Sequence, residues 1–267
     1  MKKNQQNGQR RRGIYLLPNL FTTAALFAGF YGIVAATKGQ FETAAIAIYI
    51  AMLLDGLDGR VARLTNTQSD FGAEYDSLAD MVSFGLAPAL VMYEWVLSDM
   101  GKLGWLVAFI YTASAALRLA RFNTQVGTAD KRYFQGLASP AAAAIVTGMV
   151  WIGDIYLPAG SVLEYTSLVI TLAAGLLMVS NVRYHSFKGI DFKNKVPFMA
   201  MLVLVLVFVL ITYDPPSVLF SVFLIYALSG PVLTLVQLRQ HRAERKAHKS
   251  SASEPNPASD SGADLDE

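Results

Sequence analysis

The chain has 267 residues, 54% of them hydrophobic and 16% charged, with a mean hydropathy of +0.39. A soluble domain carries about 25% charged residues, so this balance argues for a protein immersed in a bilayer. With no cysteine, disulfides, Cys-ligated zinc, iron–sulfur clusters and thiol nucleophiles are excluded, and a net charge of +2 gives no sign of a nucleic-acid partner.

A basic arm at residues 1–16 (Lys2, Lys3, Arg10, Arg11, Arg12) opens the chain. Eight apolar stretches follow, each near the ~20 residues a bilayer requires, at 17–36, 43–64, 77–97, 103–122, 138–155, 165–182, 197–213 and 218–238. The first is too long for a cleavable signal peptide and lacks a compact small-residue cleavage site. The second, third and fourth are interrupted by charges or glycines. The fifth is short and alanine-rich, the weakest of the set, whereas the seventh is almost pure aliphatic. The expected fold is therefore all-α, a polytopic membrane bundle of about eight transmembrane helices over residues 17–238. Residues 239–267 form a cytoplasmic end. A basic, helix-prone stretch at 237–249 is expected to lie along anionic headgroups, and the Ser/Pro/Asp/Glu-rich run at 250–267 reads as disordered.

Orientation follows from the distribution of lysine and arginine. With the N terminus in the cytoplasm, all 22 such residues except Lys38 and Lys102 fall on the cytoplasmic side. Both termini are thus expected there, with the protein in the inner (cytoplasmic) membrane. His185, His241 and His248 lie in basic segments without paired ligand spacing and read as solvated.

Four aspartates interrupt the second and third stretches: Asp55, Asp58, Asp76 and Asp80. An ionised carboxylate in a bilayer costs about 2.5 kcal/mol or more, so it needs a compensating partner and marks function. Asp55 and Asp58 are three apart and Asp76 and Asp80 four apart, spacings that put each pair on one helix face. The intervening residues 65–70 are polar and turn-like, which predicts a tight antiparallel helix pair whose acidic faces meet. Arg60 and Arg63 are too few to neutralise four acids. Carboxylates in this number suit hard, oxygen-preferring cations, Mg²⁺ or Mn²⁺, and two ions would form the clamp common in displacement at phosphorus. Gly56, Gly59, Ala62 and Gly72 remove bulk around the acidic face, which permits close approach of a ligand, and Arg63 offers a donor fork to phosphate. A cation transporter would also explain the acids, but not the glycine groove or Arg63.

The pattern Asp55, Asp58-Gly59, Ala62-Arg63, Gly72, Asp76, Asp80 resembles, position for position, the signature of the CDP-alcohol phosphatidyltransferases. That resemblance implies reaction of CDP-diacylglycerol with a second alcohol and release of CMP. It assigns Asp55, Asp58 and Asp76 to metal binding and Gly59, Ala62 and Arg63, with Gly72, to the CDP moiety. It makes Asp80 the general base with a further metal contact, and it implies a homodimer. Asn19 and Thr22 share a face at the start of the first helix from which they could reach the cytidine or its phosphates; capping of that helix is the alternative.

Three stretches resemble the bacterial integral-membrane, serine-using branch of the family. They are Ser77-Leu78-Ala79-Asp80-Met81-Val82-Ser83-Phe84-Gly85, Ala116 to Asn123, and Phe134-Gln135-Gly136-Leu137-Ala138-Ser139-Pro140. L-serine carries a carboxylate, and Arg118 and Arg121, three apart in an apolar helix and pointing the same way, with Asn123, are the expected acceptor site. Glycerophosphate, inositol-phosphate and choline-type acceptors remain open within the family, and snorkelling to the interface is the alternative role for the arginines.

Overall fold

The computed structural model describes residues 16–125, 133–158, 160–185 and 198–251. The N-terminal arm before Leu16 and the acidic run after Ser251 lie outside them. The elements in chain order are α1 (Leu16–Ala36), α2 (Phe41–Thr65) and α3 (Asp70–Asp80), which continues through a π-helical segment (Met81–Leu86) into α4 (Ala87–Trp95). A short 3₁₀ turn (Leu97–Met100), α5 (Lys102–Gln125), β1 (Tyr133–Gln135), α6 (Ser139–Tyr156), α7 (Ser161–Val179), β2 (Arg183–His185), α8 (Phe198–Tyr213) and α9 (Pro215–Ser251) follow.

Each of the eight apolar stretches falls largely on helix. Four segments are both long and apolar enough to cross a membrane: Leu17–Ala36, Lys102–Thr124, Ser161–Val179 and Pro215–Thr234. The other four fall short by that measure, because α2 and α3 carry the acids, α6 is less apolar and α8 is short. The basic stretch at 237–249 is helical as expected, and continues α9 without a break. One feature departs from an all-helical fold: β1 and β2 pair antiparallel, with Phe134 opposite Tyr184. Gly136 makes this ribbon possible. Its φ is +79°, and a Cβ there would run into the carbonyl of Met178, so only glycine fits.

The helices meet through small residues. Gly29 lies against Ser83, where an added Cβ would come within 2.6 Å of the hydroxyl. Ala25, Ala28, Ala35, Ala44, Ala45, Ala47 and Ala51 are buried between α1, α2 and their neighbours. Such residues let helix backbones approach closely where a bilayer supplies no hydrophobic drive between helices. The alanine-rich α6, weakest as a membrane segment by sequence, is the most enclosed helix. Ala141 to Val150 are all buried, and α6 packs on α2, α4, α7 and α9. Its modest hydropathy reflects a position among helices rather than against lipid. By contrast Met199, Val203, Leu206 and Phe208 of α8 are exposed and form an apolar outer face.

The third apolar stretch holds the π-helical segment directly after Asp80. Pro88 lacks an N–H and cannot bond the carbonyl of Phe84 four residues earlier. The hydroxyl of Tyr111 on α5 donates to that carbonyl instead, at 3.0 Å, while the Thr112 hydroxyl, bonded to the Ala108 carbonyl of its own helix at 3.0 Å, has the Gly85 carbonyl as a longer alternative acceptor at 3.4 Å. The irregular turn is thus satisfied from a neighbouring helix, at the place where π-bulges commonly mark functional sites.

Candidate active site

α2 ends at Thr65, where Asn66 takes the left-handed conformation (φ 51°) that asparagine tolerates at a helix end. Ser69 then caps α3, its Oγ accepting from the N–H of Gly72 at 3.1 Å. This turn brings the two acidic faces together as the spacing predicts. One carboxylate oxygen from each of Asp55, Asp76 and Asp80 lies within 4.8 Å of the other two.

The helices that carry the acids are not a tight antiparallel pair, however. α1 packs closely on α2 and also on α3, while α2 and α3 make few close backbone approaches to each other. Thr22 of α1 donates to Asp58 Oδ2 at 2.6 Å, with the Pro18 carbonyl a longer alternative acceptor at 3.2 Å. Thr23 shares a hydrogen bond of 2.9 Å with the Tyr75 hydroxyl. α1 therefore acts as the brace that sets the gap in which the carboxylates meet.

Asp58 is the most buried of the four acids, 5% exposed, and the Thr22 hydroxyl fixes its orientation. It stands apart from the close trio but within reach of Asp76. Oδ1 of Asp76 and Oδ1 of Asp80 are buried and have no hydrogen-bond partner in the protein. Buried polar atoms are nearly always paired, and hard divalent cations take oxygen ligands at about 2.0–2.6 Å. Three converging carboxylates, two of them with orphaned oxygens, fit such an ion. Asp55, Asp76 and Asp80 would hold it, with Asp58 beside them. Arg60 and Arg63 are exposed at the end of α2, whereas the guanidinium of Arg118 lies within electrostatic reach of Asp80.

Next to the acids is open space. An added Cβ at Gly56 or Gly59 would meet nothing within 4 Å, so no packing inside the protein explains the absence of a side chain there. Ala62 and Arg63 continue along α2. At Gly72 a Cβ would come within 3.1 Å of Ser69 Oγ and 3.5 Å of Asn19 Oδ1, which puts Asn19 at the start of α3 and beside the groove. Helix α1 is already formed at Leu16, so Asn19 sits inside its first turn and is not its cap. Thr22 is engaged with Asp58.

The three residues expected to take the acceptor diverge. Nη1 of Arg118 donates to Ser139 Oγ on α6 at 2.6 Å, while its Nε is buried and unpartnered. Nη2 of Arg121 instead donates to Gln135 Oε1 on β1 and to Asn181 Oδ1 at 2.8 Å, which ties α5 to the ribbon. The amide of Asn123 donates to Ser77 Oγ at 3.1 Å, one residue from Asp76. Of the two arginines only Arg118 adjoins the carboxylates. Ser139 accepts its hydrogen bond, and Tyr226 lies within its electrostatic reach. Neither was singled out from sequence as a site residue, since no local spacing links positions so far apart.

Comparison with known proteins agrees with this geometry. A family model described as CDP-alcohol phosphatidyltransferase matches residues 15–180. The CDP-diacylglycerol–serine O-phosphatidyltransferase of Helicobacter pylori strain J99 is 40% identical over 225 residues, 84% of this chain and 94% of that protein. The protein of the same name from Mycobacterium tuberculosis strain H37Rv is 42% identical over 149 residues, 54% of this chain and 51% of its own. The archaetidylserine synthase of Methanothermobacter thermautotrophicus is 33% identical over 185 residues, 68% of this chain and 75% of its own. With the aspartates, the glycine groove and the bracing helix all inside the matched region, the chain belongs to the CDP-alcohol phosphatidyltransferase family.

Proposed function

We propose that this enzyme transfers the phosphatidyl group of CDP-diacylglycerol to the hydroxyl of L-serine, giving phosphatidylserine and CMP. The observation that carries the reading is the junction of two charges. Asp80, whose orphaned carboxylate oxygen belongs to the trio with Asp55 and Asp76, lies within electrostatic reach of Arg118, a guanidinium with a buried, unpartnered Nε. Relatives named for diacylglycerol and for archaeal lipid substrates both carry serine in their names, which supports serine as the acceptor.

In this reading the pyrophosphate lies in the groove at Gly56 and Gly59, near Arg63 and Asn19. Asp80 takes the proton of the serine hydroxyl as that oxygen attacks the phosphorus bearing diacylglycerol. The P–O bond to CMP then breaks, and CMP leaves with the bridging oxygen. Arg118 holds the serine carboxylate by a planar donor fork. The family is generally divalent-metal dependent, and Mg²⁺ or Mn²⁺ bound to Asp55, Asp76 and Asp80, one ion or two, would neutralise the pyrophosphate and improve CMP as leaving group. The asymmetry of lysine and arginine supports eight crossings, cytoplasmic termini and a cytoplasm-facing site in the inner membrane. A homodimer rests on the family resemblance.

The test is CMP release by purified protein from CDP-diacylglycerol with serine, ethanolamine or glycerol 3-phosphate as acceptor. Serine should be preferred. Excess chelator should abolish release, and Mg²⁺ or Mn²⁺ should restore it. Equal release with all three alcohols would overturn the serine assignment, and full activity in chelator would overturn the metal site.

A further inference from the structure

Arg118 and Arg121 lie about one turn apart on α5, and both bond to the short segment that joins β1 to α6. Nη2 of Arg121 donates to Gln135 Oε1, and Nη1 of Arg118 donates to Ser139 Oγ at 2.6 Å. The first contact is exposed, whereas Ser139 is wholly buried. The segment itself is held by its backbone. The N–H of Gly136 donates to the carbonyl of Val182 at 2.9 Å, and the N–H of Leu137 to the carbonyl of Leu177 at 3.0 Å. The Leu137 side chain is fully buried in the core, and Pro140, in the first turn of α6, has its φ fixed by its ring. Ser139 is therefore placed by its neighbours and not by any bond of its own side chain.

That side chain is not used to start the helix either. Serine at a helix start commonly caps it with its own oxygen, but here Ala138 occupies the cap position and no side chain bonds there. The Ser139 oxygen accepts from a guanidinium instead. A guanidinium presents its five donors in a fixed plane, with Nε and Nη2 forming the fork on one edge. Ser139 engages Nη1, which is not part of that fork, and Nε is buried without a partner. Buried donors are nearly always paired, so this one points to an acceptor that arrives from outside the protein.

We propose that Ser139 is a positioning residue for Arg118: by holding Nη1 it fixes the rotation of the guanidinium and keeps the Nε edge for the carboxylate of the incoming alcohol. The inference rests on the serine reading above. A cation on a flexible stem binds more tightly when its head is already held, because less freedom is lost on binding. An alcohol without a carboxylate gains nothing from that arrangement. Ser139 thus bears on the choice of acceptor and not on the metal or CDP sites.

The experiment compares the unmutated enzyme with Ser139→Ala, which removes the acceptor, and Ser139→Cys, which keeps the volume but offers only a weak acceptor. CMP release is titrated with serine and with CDP-diacylglycerol separately, and the Tm is measured in the same detergent. The KM for serine should rise about tenfold in both variants, the scale of one hydrogen bond to a charged group. The KM for CDP-diacylglycerol should stay unchanged in both, and the Tm should stay unchanged in Ser139→Cys, which decides the question should the alanine variant lose its fold. An unchanged serine KM overturns the inference. So does a serine KM restored by Ser139→Cys, which would make packing and not the hydrogen bond the cause. An equal rise in both KM values, or a fall in kcat alone, would give Ser139 a merely structural role and also overturns it. If the unmutated enzyme releases no CMP in response to serine, the serine reading fails first and the inference with it.

Discussion

Replacing Thr22 with valine tests the role of α1 most directly. Valine keeps the branched shape and removes only the hydroxyl that donates to Asp58 Oδ2 at 2.6 Å, a length typical of a charge-assisted O–H···O⁻ bond. Thr22 and Asp58 are 4% and 5% exposed, so water has little access to replace the lost donor. A hydrogen bond to a charged group contributes about 1.5–3 kcal/mol. Asp58 without its donor would turn toward or away from Asp76 and loosen the ligand set, and support of this kind changes metal affinity roughly 10–100-fold. The assay is CMP release titrated with Mg²⁺ or Mn²⁺. Half-saturation by metal should move up by roughly that factor, most of the turnover should return at saturating metal, and Thr22→Ser should behave as the unmutated enzyme. If Thr22 instead contacts CDP, the metal titration will be unaltered and the KM for CDP-diacylglycerol will rise at every metal concentration. That result would refute the assignment of Thr22 as the orienting partner of Asp58.

Three other outcomes follow from the same geometry. Asp80→Asn should leave CDP-diacylglycerol binding largely intact and lower turnover roughly 10²–10⁴-fold, the scale of a general base; near-normal turnover would assign the base elsewhere. Arg118→Lys should raise the KM for serine because a point charge cannot reproduce the fork, whereas Arg121→Lys, which loosens bonds to Gln135 and Asn181, should act on Tm more than on serine affinity. Gly59→Ala should fold at least as stably, since the site is open and alanine favours helix by about 1 kcal/mol, yet it should weaken CDP-diacylglycerol binding; unimpaired binding would remove Gly59 from the groove.

The acidic cluster was legible before any coordinates because its information is local. Spacings of three and four residues fix a shared helix face, and the polar turn between Thr65 and Asp70 brings the faces into reach. The same locality explains what sequence reading missed. The bond from Thr22 to Asp58 spans 36 positions and that from Arg118 to Ser139 spans 21, and nothing in the intervening residues announces either. Arg118 and Arg121 looked alike on a helical wheel, yet α6 holds one and the ribbon the other. The missing N–H of Pro88 was visible, but its consequence, a π-helical segment served by Tyr111, depends on which helix packs there.

The sequence by itself determined that the chain is helical and apolar enough for a membrane, and that four carboxylates flank a glycine groove, because helical period and hydropathy act over a few turns. Only the tertiary structure decided that α1 braces the acids, that Arg118 rather than Arg121 adjoins them, and that the weakest apolar stretch is the enclosed α6. The physical reason is that lipid rewards large apolar side chains while close helix packing needs small ones. An alanine-rich segment therefore looks the same in sequence whether it is marginal at the surface or central to the bundle, and only its neighbours distinguish the two.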